Sequence, residues 1–111
     1  MPYNQNLAER IRSALKEHPT IIEKKMFGGV GFILNGNMTC GVQGDDLLVR
    51  VGVENNAAAL AQPHVRPFMP MPGKPSVGWI LVAPEGTSTN QDLDRWVGAG
   101  YEYAASLPEK K

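Results

Sequence analysis

The sequence contains a single cysteine, Cys40, so no internal disulfide can form. Its histidines are His18 and His64, and with one cysteine they give no spacing that resembles a site of three or four metal ligands. No cofactor is expected. Neither sign of charge is in excess, since 11 lysines and arginines balance 11 aspartates and glutamates. A domain that binds DNA directly usually carries a basic excess that displaces counterions from phosphates, so direct DNA binding is not expected. The same balance argues against an anionic membrane surface. Apolar runs fall far short of the roughly 20 residues of a membrane-crossing helix. The opening Met-Pro-Tyr-Asn has neither the basic nor the apolar segment of a secretory signal, and the expected location is cytoplasmic.

What is present is an ordinary globular composition. With 42% hydrophobic residues in 111, residues 1–111 read as one domain with its own core. Asn6, with Glu9 three residues later, has the form of a capping box for a first helix that ends near His18, before Pro19. Leu7, Ile11, Ala14 and Leu15 would form its apolar stripe. Residues 21–26 and 29–34 read as strands. Asn35-Gly36, a strong hairpin signal, leads to a return strand carrying Met38, Cys40 and Val42. Residues 47–51 form a fourth strand after the turn at Gly44-Asp45-Asp46. Residues 53–62 read as a short helix. The stretch 63–75 holds five prolines and reads as loop or edge structure. Residues 77–83, which include Trp79, read as a further strand. Thr89 with Asp92 caps a last helix whose stripe is Leu93, Trp96, Val97, Tyr101 and Ala104. Gly98 and Gly100 weaken that helix and are expected to mark close packing. The predicted class is α+β: a single antiparallel sheet with helices packed on it, in the order α-β-β-β-β-α-β-α.

Gly28-Gly29-Val30-Gly31 is not a nucleotide loop, because an Asn-Gly turn and a strand stand where a helix would have to begin. Glycines in a strand mark a bulge or a close backbone approach, here expected from the first helix. Cys40, in register with Met38 and Val42, reads as a buried thiol; a nucleophile would need a nearby histidine or cation. Lys25, Arg50 and Arg66 have two readings. Either they belong to solvated strand faces, or they converge on a small anion or peptide. Met26, Phe68, Met69, Met71 and Trp79 are either core or an adaptable apolar surface.

The run Lys24-Lys25-Met26-Phe27-Gly28-Gly29-Val30-Gly31-Phe32, then Asn35-Gly36-Asn37-Met38, resembles the N-terminal domain of the TfoX/Sxy family. The resemblance continues through residues 47–52, Arg66-Pro67-Phe68, Gly78-Trp79 and the last helix. Met26, Phe27, Gly28 and Gly29 are its most specific part. It implies a fold similar to the secretion-chaperone-like α+β proteins. Two-domain members act as regulators of natural competence, together with the cyclic-AMP receptor protein at promoters. The resemblance covers their N-terminal domain and not their C-terminal helical domain, so it implies a stand-alone module. It supplies no catalytic residues. The functional expectation is a non-enzymatic protein-interaction module, an accessory of transcriptional regulation, with an unidentified protein or a second copy of the chain as partner. The alternative is a small anionic ligand or peptide binder using Lys25, Arg50 and Arg66.

Overall fold

The computed structural model describes residues 3–26 and 29–109. Phe27 and Gly28 of the motif lie outside the described residues. Helix α1 spans Gln5–Ala14 and is followed by β1 (Ile22–Met26), β2 (Gly29–Leu34), β3 (Asn37–Gln43) and β4 (Asp46–Arg50). A 3-10 turn at Val53–Asn55 leads into α2 (Asn56–Leu60), then β5 (Val65–Pro67) and β6 (Trp79–Val82). A second 3-10 turn, Pro84–Thr87, precedes α3 (Asn90–Ala105). The strands form one antiparallel six-stranded sheet in the order β1-β2-β3-β4-β6-β5. The α+β class and the order of elements agree with the sequence reading, apart from one added strand, β5. That strand is three residues long and lies at the sheet edge, where Pro67 removes no ladder bond that a neighbour needs.

The cap of α1 differs from expectation. Asn4, not Asn6, accepts the Leu7 amide on its side-chain oxygen at 3.0 Å. Its own amide donates to the Gly44 carbonyl at 2.7 Å. The tie to the β3–β4 turn selects Asn4, which places Asn6 inside the helix. The helix also ends earlier than expected, at Ala14, and a turn carries the chain on to His18. Thr89 caps α3 as expected, accepting the Asp92 amide at 3.1 Å.

The hairpin turn has φ of 52° at Asn35 and 83° at Gly36, both positive as a tight two-residue turn between twisted strands requires. Beyond it, β3 carries a bulge. Phe32 pairs with Cys40 and Ile33 with Met38, which leaves Thr39 as the extra residue. The Thr39 hydroxyl donates to the Phe32 carbonyl at 2.8 Å and so satisfies a buried acceptor. The chain is also crowded at Gly29, but by β3 and not by the first helix. A β-carbon there would stand 1.9 Å from the Val42 carbonyl oxygen.

Pairing places Val30, Val42, Leu47 and Val82 in one row and Phe32, Cys40, Val49 and Ile80 in another, all buried on one face. Leu7 and Ile11 of α1, Leu15 just after it, and Leu93, Trp96 and Val97 of α3 complete that core. Each such side chain contributes about 1.5–3 kcal/mol by leaving water. Among the described residues, no helix is long and apolar enough to cross a membrane.

Candidate functional site

The strand order decides what the three predicted cations can do together. Lys25 lies on β1 and Arg66 on β5, the two outer strands, five strand spacings or about 24 Å apart. Lys25 belongs to the row of Val30, Val42, Leu47 and Val82, on the helix-bearing face. Arg66 belongs to the row of Gly31, Gly41, Leu48 and Leu81, on the opposite face. Lys25 therefore does not meet Arg66, and the three cations do not form one site. The expectation of a joint anion site is corrected: inserting β6 between β4 and β5 moves Arg66 to the far edge. Arg66 there forms an exposed ion pair with Asp46.

Arg50 is the cation with a built environment. It ends β4 opposite Trp79, and its guanidinium carbon lies 5.3 Å from the Trp79 ring centroid and 5.4 Å from that of Tyr103. Two ring faces hold the guanidinium by cation–π attraction while it remains partly exposed. Among the described residues, no carboxylate lies within ion-pair distance of it.

A glycine corner fixes this arrangement. The Gly78 carbonyl accepts the amides of Val51 at 2.8 Å and Gly52 at 3.1 Å. The Gly78 amide donates to the Asn56 side-chain oxygen at 2.9 Å, and the Asn55 side-chain amide donates to the Val51 carbonyl at 3.0 Å. Tyr103 is not among the residues expected at a site from sequence, although it follows Trp96 by two helical turns on α3 and so shares its side of the helix.

Phe68 and Trp79 are joined along the β5–β6 arm, where the Phe68 amide donates to the Trp79 carbonyl at 3.4 Å. Both side chains are half-buried. Met69 and Met71, farther along the arm, are exposed, so the reading of them as core does not hold.

Two grooves flank α3. One, of about 750 Å³, runs between α1 and α3, with His18 stacked on Tyr101 at 4.0 Å. Its Arg10 is already tied to the Thr87 carbonyl at 2.7 Å. The other, of about 450 Å³, runs between α2 and α3, with Ala58, Ala59 and Ala99 beside Trp96 and Tyr103. Arg95 lies over the Trp96 ring at 4.7 Å from its centroid.

Cys40 is fully buried, as expected. Burial pushes its pKa up from 9.0 to about 12, with the adjacent Thr39 hydroxyl acting in the opposite direction. The unfolded thiol ionises first as pH rises, so the protonated native thiol stabilises the fold fully below about pH 9 and progressively less up to about pH 12. Urea titrations should show the chain losing about 1.4 kcal/mol per pH unit more than Cys40→Ala in this window. Equal slopes for the two proteins would show that the native thiol ionises freely. Among the described residues, no group of three or more histidines, cysteines or carboxylates is placed to hold a metal ion.

The family model described as TfoX N-terminal domain matches residues 13–104 of this chain. A search of curated proteins finds no match.

Proposed function

The chain belongs to the TfoX N-terminal domain family, and we propose that it works as a non-enzymatic protein-interaction module, an accessory of transcriptional regulation related to the competence regulators. The match over residues 13–104 carries this reading. The burial of Cys40 supports its non-enzymatic part, because a thiol with its pKa pushed up to about 12 is a poor nucleophile near neutral pH. Separation of Lys25 from Arg66 removes the basis of the three-cation ligand site. The test is a deletion of the gene in its host, with transcripts compared before and after complementation. A defined set of transcripts, competence genes among them, should change and be restored by the wild-type chain. An unchanged transcript profile under conditions where the chain is made would overturn the proposal.

A further inference from the structure

The two edges of the sheet are built differently. At one, β5 is three residues long, includes Pro67, and has its Arg66 paired with Asp46. Such an edge is blunted against further strands. At the other, β1 has five residues and no proline, and all of them are in register with β2 without a bulge. Among the described residues, no strand covers its outer side. An edge strand turns alternate backbone donors and acceptors away from its neighbour, so β1 presents a row of them to solvent. Its side chains are open too. Ile22 is 65% exposed, and Glu23, Lys24 and Lys25 are exposed as well. Glu23 and Lys25 stand opposite Phe32 and Val30, on the helix-bearing face, and Lys24 stands opposite Gly31, on the other. Glu23 forms an exposed pair with Arg12. Lys25 has no carboxylate within ion-pair distance among the described residues.

We propose that β1 pairs antiparallel with β1 of a second copy of the chain, centred on Lys24, so that one sheet runs continuously through both copies. The charge pattern selects the occupant and the register together. Directly opposed residues of an antiparallel pair lie on the same face. Centring on Lys24 therefore sets Glu23 of each copy opposite Lys25 of the other, twice across the two-fold axis, on the helix-bearing face. The neighbouring registers that keep faces matched are centred on Glu23 or on Lys25. Each sets like charges against each other at its centre and gains no opposite pair in return. The chosen register has one like pair, Lys24 against Lys24, whose long stems can carry their charges apart into solvent. Two opposite pairs outweigh it. Lysine on an edge ordinarily discourages pairing. Here it discourages strands that fail to bring an acidic residue to Lys25 and a basic one to Glu23, and a second copy brings both. The added strand also covers Ile22. The inference rests on the interaction-module reading and gives that module its surface, with a second copy as the partner.

The test is sedimentation velocity of the full chain from about 1 µM to about 1 mM, the range expected for an interface of one strand from each copy. A reversible dimer should form. Hydrogen exchange should show backbone amides of β1 gaining protection as concentration rises. Glu23→Lys and Lys25→Glu should each weaken the dimer by about tenfold, because each turns two attractions into repulsions. The double variant carrying both changes should restore it to within about threefold, which no loss of folding could do. Lys24→Thr should tighten it by about threefold by removing the like pair at the centre. Glu23, Lys24 and Lys25 are exposed, and thermal melts establish that the variants fold. A chain still monomeric at about 1 mM overturns the inference. So does a dimer that ignores the single charge reversals, one that the double variant fails to restore, or one that Lys24→Thr does not tighten. The transcript experiment is read separately. An altered transcript profile beside a monomeric chain rejects this edge and leaves the regulatory reading standing.

Discussion

Gly98→Ala and Gly100→Ala, the same change two residues apart on one helix, are expected to move stability in opposite directions. The first should stabilise the chain by up to about 1 kcal/mol, because alanine is the better helix former. A β-carbon at Gly98 meets nothing within 4 Å, so no contact offsets that gain. At Gly100 the added carbon would stand 2.3 Å from the Thr39 carbonyl oxygen. That oxygen belongs to the bulge, which cannot retreat freely, because the Thr39 side chain is bonded to Phe32 and fully buried. Alanine there must lift α3 from the sheet or distort the bulge. Overpacking of this kind costs about 1–3 kcal/mol, and with a backbone atom as the obstacle the net loss should be about 2 kcal/mol. At about 4 °C per kcal/mol for a domain of this size, the two variants should melt roughly 10 °C apart. Thermal unfolding followed by circular dichroism measures the difference. Equal melting temperatures would mean that α3 does not rest on the bulge through Gly100.

The pair also shows which kind of information the sequence carries. Both glycines are visible as weak points in an apolar stripe, and close packing is a fair expectation for either. Only Gly100 faces the sheet, and helical periodicity referred to Leu93, Trp96 and Val97 already hints at this. What periodicity cannot supply is the bulge at Thr39, which depends on a register shift between two strands. The same division holds across the fold. Local signals locate the hairpin, the Thr89 cap and the strand limits of β2 closely, because Asn-Gly turns, caps and alternation act within a few residues. The cap of α1 lies at Asn4 and not at Asn6 because a distant partner, the Gly44 carbonyl, selects between two nearby asparagines. Lys25, Arg50 and Arg66 share one local mark, a cation in or beside an apolar stretch. Their separation depends on β6 pairing with both β4 and β5, a long-range choice with no local mark. Arg50 and Trp79 fall together because that same pairing sets them opposite each other.

Gly52→Ala should cost about 3 kcal/mol and loosen the Arg50 site at the same time. Gly52 has φ 89° and ψ 155°, a region that residues with a β-carbon essentially do not enter. Strain from such a backbone runs to about 1–3 kcal/mol and falls at the upper end here, because the amide of Gly52 and that of its neighbour Val51 are both held by the Gly78 carbonyl. A β-carbon would also stand 2.4 Å from the Tyr103 ring. The ring can rotate or withdraw, so this contact should add less to the loss of stability than the backbone does. Its consequence is local: Tyr103 moves off the Arg50 guanidinium, which keeps Trp79 as its remaining ring partner. The two effects separate in a Tyr103→Ala background, where the contact disappears and the backbone strain stays. Urea titration should recover most of the destabilisation by Gly52→Ala in that background, while near-ultraviolet circular dichroism from the aromatic residues should change in the single variant. If the loss vanishes once Tyr103 is removed, the ring and not the backbone was the obstacle, and Gly52 is required for the contact that seats Tyr103 against the corner beside Arg50.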